Sequence, residues 1–185
     1  ILNKINSYYL KDKNRKKYRV IITPPYTLLE TYSKFFKKKR ISIGSQNCYQ
    51  KDKFSSDTSA ISPYMIKKVG AEYTLVGHSD NRKEGDTDLM LKNKVTYALK
   101  NNLKVVFCIG ENKIQKSKNK TLDVLKKQIT KVLNKKLNKN NIIVAYEPIW
   151  SIGTGKIPTN KELEKITIHI KKILKGIFQN KSPAV

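Results

Sequence analysis

Five short β-branched runs, each followed by a lysine-rich stretch, constrain this chain more than anything else in it. Residues 19–23, 41–44, 73–77, 104–110 and 141–145 are nearly continuously apolar, with no strict alternation. Such runs read as strands of a parallel sheet covered by helices. Pro24-Pro25 ends the first, because proline cannot donate to a ladder. Between the runs the period changes to that of a helix. Ser62-Pro63 opens a helix through Lys68, and Gly70 closes it. Asp86 or Thr87 caps a segment through Asn101 whose Leu91, Val95, Ala98 and Leu99 share one face. Thr121 is expected to cap another, with Leu122, Leu125, Ile129, Val132 and Leu133 on its inner stripe. The last helix spans residues 162–178, and residues 1–10 read as the tail of an earlier one.

Two architectures satisfy this alternation: an open doubly wound sheet, or part of a (β/α)8 barrel. No GxGxxG follows the first strand, which lowers the dinucleotide-binding option. In a barrel, chemistry gathers at strand C-termini. Gln46-Asn47, His78-Ser79-Asp80, Cys108-Ile109-Gly110-Glu111 and Glu147 all fall there. We therefore expect a single incomplete α/β domain over residues 1–185, an arc of a (β/α)8 TIM barrel. A whole barrel needs about 250 residues, and five strands leave two open edges. The first residue, Ile1, is consistent with a chain interior to a longer one.

The 39 Lys+Arg against 14 Asp+Glu give a net charge of +25. A basic balance of that size raises the question of nucleic acid. The lysines are spread over the whole chain, in runs such as Lys37-Lys38-Lys39 and Lys135-Lys136, and no nucleic-acid motif accompanies them. The expectation is weak, salt-sensitive attraction to polyanions and no specific nucleic-acid partner. Cys48 and Cys108 lack CxxC or histidine neighbours at ligand spacing, so both read as buried reduced thiols and no metal site is expected. No apolar stretch approaches membrane-spanning length and no leader pattern is present, so the expectation is a soluble cytoplasmic protein.

One run carries most of the chemistry. Ala145-Tyr146-Glu147-Pro148-Ile149-Trp150-Ser151-Ile152-Gly153-Thr154-Gly155-Lys156 sets one carboxylate at the mouth of an apolar strand, ahead of a glycine-rich loop. A carboxylate so placed, beside a loop able to close and present backbone N–H groups, suits proton abstraction from a phosphorylated substrate. Taken alone, the same glutamate also fits a strand-end salt bridge, and His78 a core histidine. The run resembles the catalytic base and closing lid of the triosephosphate isomerase family. Four more motifs carry the resemblance, in the family's order and spacing: Thr23-Pro24-Pro25-Tyr26, Gly44-Ser45-Gln46-Asn47-Cys48-Tyr49, Val76-Gly77-His78-Ser79 and Cys108-Ile109-Gly110-Glu111.

The resemblance implies roles and covers the span from the second strand to the sixth βα unit. Glu147 is the expected base, moving a proton between adjacent carbons of a triose phosphate through an enediol(ate). His78 is the expected electrophile at the substrate carbonyl; the family is itself the standing example of a neutral imidazole at a helix N-terminus. Residues 149–158 are the expected lid, with the Gly153 N–H on the substrate phosphate. Asn47 and Asp80 are expected in support, and no cofactor or metal is implied. Pro158, where the family has a small residue, is expected to restrict φ at a hinge and slow closing.

The departures are as informative. No residue before Tyr18 matches the family's catalytic lysine, and its seventh and eighth strands have no counterpart in these residues. Asp80 stands in place of a glutamate and Asn81 in place of an arginine. Thr58-Ser59-Ala60 replaces the Thr-Gly-Glu of the loop that docks into the second subunit, so the homodimer implied by the resemblance lacks its expected cross-subunit pair. The expected function is isomerisation of dihydroxyacetone phosphate and D-glyceraldehyde 3-phosphate in glycolysis and gluconeogenesis, with the isolated 185-residue chain inactive. The rivals are a degenerate fragment acting only as a basic polyanion-binding protein, and a different phosphate-binding barrel.

Overall fold

The computed structural model describes residues 1–53, 56–179 and 182–185. The chain runs α1 (Leu2–Lys11), β1 (Val20–Ile22), α2 (Tyr26–Phe36), β2 (Ile41–Ser45), α3 (Pro63–Lys68), β3 (Tyr73–Val76), α4 (Ser79–Lys83), α5 (Asp88–Lys100), β4 (Lys104–Ile109), α6 (Lys113–Ser117), α7 (Thr121–Val132), β5 (Ile142–Tyr146) and α8 (Asn160–Phe178). All five expected strands form. The fifth starts one residue late, because Asn141 belongs to a 3-10 turn, Lys139–Asn141.

Strand order separates the two candidate architectures. The sheet is parallel throughout and its order is β1-β2-β3-β4-β5, each strand beside its sequence neighbour. A doubly wound sheet reverses direction at a switch point; this one never does. Burial gives the same answer. Thr74, Val76, Val105, Phe107, Ile142 and Val144 lie on one face and are buried beneath the helices. Leu75, Val106 and Ile143 are in register on the other face and only half-buried. The arc is wound in one direction, with its helices on one side. At its far edge Ile143 bridges Ala184 in parallel, and the Val144 N–H donates to the Ala184 carbonyl at 2.8 Å.

The helices begin and end for local reasons. Ser62 Oγ accepts the Met65 N–H and Pro63 occupies the first turn, while Gly70 follows the helix at φ +96°. Thr87, not Asp86, caps α5 through the Met90 N–H. The expected cap at Thr121 does not form. Lys120 precedes the helix at φ −94°, ψ 6°, so Thr121 is already inside it and its hydroxyl is not needed there. Every fourth residue of α8, from Ile166 through Ile170 and Leu174 to Phe178, is buried, and the helix packs beside α7. Among the described residues, no helix is long and apolar enough to cross a membrane.

Candidate active site at the strand C-termini

The C-terminal ends of β2, β3, β4 and β5 bring the expected residues to one edge of the sheet. His78 follows β3 and is the N-cap of α4, its ring Nδ1 accepting the Asp80 N–H at 3.3 Å. A backbone N–H only donates, so Nδ1 presents its lone pair and the ring proton sits on Nε2. That Nε2 lies 2.9 Å from Glu147 Oε1, at the mouth of β5. Both side chains remain partly open to solvent, 31% and 28% exposed. A carboxylate and an N–H donor therefore face one another within hydrogen-bond distance, each partly open to solvent.

Backbone geometry fixes the glutamate. The Glu147 N–H donates to the Ile109 carbonyl at 2.8 Å, continuing the β4–β5 ladder past the strand. Gly110 lies so close that a Cβ there meets the Glu147 carbonyl oxygen at 1.8 Å. Any side chain at position 110 displaces the backbone that carries the carboxylate. Gln128, from α7, pins Gly110 with a donor and an acceptor, at 2.9 and 3.0 Å.

Arg82, which the sequence reading did not single out, fastens β3 to β4 beneath the site. Its Nε donates to the Gly77 carbonyl at 2.7 Å and its guanidinium to the Cys108 carbonyl at 3.0 Å. Burial pulls its pKa below the usual value, yet an arginine stays charged, so these are charge-assisted bonds. An arginine one helical turn after the strand-end histidine was the signal available in the sequence. Ser79, part of the strand-end motif, was assigned no role from sequence. Its Oγ is buried without a partner among the described residues, and it lines a small cavity with Gly77, Arg82, Gly110 and Glu147.

The Asn47 side-chain oxygen is engaged by Lys94 and by its own loop: Oδ1 accepts from Lys94 Nζ at 3.1 Å and from the Cys48 N–H at 2.8 Å. Lys94 in turn meets both oxygens of Asp86 at 2.7 Å, in a pair only 5% and 7% exposed. Asn47 thus anchors the wall of a cavity of about 610 Å³ that His78, Asp80 and Tyr26 also line. Asp80 is exposed, 3.5 Å from His78 Nδ1 and 3.6 Å from Lys83. Cys108 and Cys48 are free thiols. Burial pushes both up to about 12, helped at Cys108 by the Glu147 charge, so neither is a nucleophile.

The lid stands apart. Gly153 adopts φ +68° with nothing within 4 Å of a Cβ position, and Ile157 is 82% exposed. No residue of 149–158 lines the 610 Å³ cavity. The entry to the lid is a 3-10 turn, Ile149–Ser151, held by Glu111. That carboxylate is only 1% exposed; it accepts the Trp150 Nε1–H at 2.8 Å and the Tyr146 hydroxyl at 3.1 Å. At the exit, Thr159 and Glu162 form a reciprocal capping box that starts α8.

Known proteins resemble the chain in sequence and in fold. The family model described as triosephosphate isomerase matches residues 1–185. The chain is 35% identical over 164 residues to the triosephosphate isomerase of Leptospira interrogans, covering 86% of this chain and 65% of that protein. It is 34% identical over 176 residues to that of Yarrowia lipolytica, covering 95% and 69%. For Saccharomyces cerevisiae the identity is 36% over 164 residues, covering 88% and 66%. The crystal structure of triosephosphate isomerase from Bartonella henselae superposes with a TM-score of 0.84 at 28% identity, over 97% of this chain and 71% of that one. The chain thus spans about two thirds of the length of the relatives it matches.

Proposed function

The chain belongs to the triosephosphate isomerase family, and from that premise we propose that it supplies the base and the electrophile of a cofactor-free isomerase. The substrates are dihydroxyacetone phosphate and D-glyceraldehyde 3-phosphate, interconverted in glycolysis and gluconeogenesis. One observation carries this reading: His78 Nε2 and Glu147 Oε1 face each other at 2.9 Å while the other ring nitrogen accepts a backbone N–H.

The chemistry follows from those two groups. The substrate carbonyl takes the His78 Nε2–H as its hydrogen-bond donor, and Glu147 gives up that bond to accept a proton from the adjacent carbon. The oxygen then develops negative charge toward a donor already in place, which needs no reorganisation in the step. The hydroxyl proton passes from the oxygen on the deprotonated carbon to the former carbonyl oxygen, both within reach of the His78 N–H. Glu147 returns its own proton to the former carbonyl carbon, so that the carbonyl re-forms at the deprotonated carbon and the isomerisation is complete. Lid closure brings the Gly153 N–H to the phosphate and excludes water from the intermediate. Asn47 and Asp80 act indirectly, Asn47 by anchoring the cavity wall and Asp80 by starting the turn that orients His78.

In this reading the five strands are the second to sixth of an eightfold barrel, and the active form is a cytoplasmic homodimer. The 185 residues on their own are expected to be inactive, since they hold no match to the family's first-strand lysine or to its seventh and eighth strands. The test is turnover of D-glyceraldehyde 3-phosphate by the complete polypeptide, wild type against His78→Gln. A fall in kcat of about 10²- to 10³-fold is expected for loss of an oxyanion-type donor. Equal kcat in both proteins removes His78 from the mechanism.

A further inference from the structure

The lid leaves the sheet at Pro148 and rejoins the helical layer at Thr159, and one side chain from a third element touches both ends. Lys116 lies on α6, beyond the end of β4. Its ammonium sits 3.7 Å from the centre of the Trp150 ring. The same nitrogen lies 3.0 Å from Glu162 Oε1. Trp150 belongs to the turn that opens the lid. Glu162 belongs to the box that closes it, its other oxygen accepting the Thr159 N–H at 2.8 Å and the Thr159 hydroxyl at 2.9 Å. The indole edge is held separately, by Glu111 at 2.8 Å.

The lid's middle is held differently. Thr154 Oγ1 donates to the carbonyls of Trp150 and Ser151, and Ser151 Oγ to that of Lys156; these bonds are internal to the loop. They shape the loop without attaching it to the body. Beneath the ends, Lys116, Glu111, Glu162 and Lys165 border a cavity of about 370 Å³, with Leu122 and Ile166 also on its wall. A charged bridge spans the two ends.

We propose that Lys116 is a positioning residue for the lid, a cationic strap that joins its entry at Trp150 to its exit at Glu162 and thereby sets how readily it swings. The proposal deepens the isomerase reading and rests on it only for the purpose of the swing. A lysine suits this role, because its flexible stem lets one point charge serve a ring face and a carboxylate together. Each interaction is individually weak because both are near solvent. The strap therefore biases a moving segment and leaves the stability of the fold almost unchanged.

Trp150 is the single tryptophan of these 185 residues, so its fluorescence, taken as the difference from a Trp150→Phe control, reports this site without labels. In the complete polypeptide, Lys116→Met is expected to raise acrylamide quenching of Trp150 by about two- to threefold, the size of a single exposed cation–π interaction. Lys116→Arg keeps both partners and is expected to restore the wild-type value. Turnover is expected to fall with kcat and KM changing together, as for other lid-positioning residues. Circular dichroism checks that each variant is folded; should Lys116→Met not fold, Glu162→Gln removes the other arm and is expected to move quenching the same way. Unchanged quenching in a folded Lys116→Met protein overturns the strap. Quenching that responds in a protein with no isomerase turnover leaves the strap standing and overturns the isomerase reading instead.

Discussion

The floor of the site and its lid are built on opposite principles. In the floor, main-chain atoms do the holding. Glu147 is laddered to Ile109, Gly110 admits no side chain beside it, and Arg82 ties the Gly77 and Cys108 carbonyls together. In the lid, side chains hold the two ends and the centre projects into solvent, with Ile152 49% and Ile157 82% exposed. The chemistry-bearing groups are thus preorganised on rigid elements, while the element that must move is fastened by interactions that break and re-form easily. Perturbing the floor should cost stability and geometry together, and perturbing the lid should change motion alone.

Lys94→Met gives the largest expected effect on stability. It leaves the Asp86 carboxylate buried beside Asn47 without its cation. A loss of about 3–5 kcal/mol is expected, read from urea unfolding. A loss below about 1 kcal/mol, the range of an exposed pair, would mean that this buried pair does not hold the cavity wall beside the floor.

Gly110→Ala comes next. The new Cβ meets the Glu147 carbonyl oxygen at 1.8 Å, so the backbone must shift. A destabilisation at the upper end of about 1–3 kcal/mol is expected. Turnover should fall by more than stability alone explains, because the carboxylate moves with its main chain. Full turnover in a folded variant would break the claim that backbone fixes the base.

The smallest effect sharpens the lid side. Hydrogen bonds from Thr159 and Lys116 hold the Glu162 carboxyl down, from an ordinary 4.5 to about 2. A carboxylate depressed on folding contributes above its unfolded value and loses that contribution as pH falls through the folded one. The groups facing it are Lys116, Lys165 and the Thr159 hydroxyl, with Glu111 and Tyr146 across the cavity. Acrylamide quenching of Trp150 should therefore stay level as pH drops through 4.5 and rise only toward 2, for as long as circular dichroism is unchanged. A midpoint at 4.5 would show that Glu162 is not held.

The same contrast explains what the sequence made legible. Strand C-terminal ends offer His78 and Glu147 as candidates, and only the resemblance to the family pairs them as electrophile and base. The five strands announce themselves through apolar runs. Helix α2 does not. Leu29, Ser33 and Phe36 are buried, but Leu28, Tyr32 and Phe35 blur the stripe and a serine interrupts it. Thr121 misleads because a threonine before an apolar run reads as a cap wherever the previous turn happens to end. Arg82 and Gly110 act on carbonyls of other strands, and such partners are set by register, which spacing along one chain does not carry. Lys116 stands among many lysines, and only its juxtaposition with Trp150 and Glu162 separates it from a solvated charge.

The most direct test of the central claim is deuterium incorporation at the C1 carbon of dihydroxyacetone phosphate, followed by proton NMR in heavy water. It is measured with the complete polypeptide and its Glu147→Ala variant. The account predicts incorporation by the wild type and a fall of about 10²- to 10⁴-fold in the variant, the range for removing a general base. Equal incorporation by both would contradict it, because some group other than Glu147 would then be taking the proton.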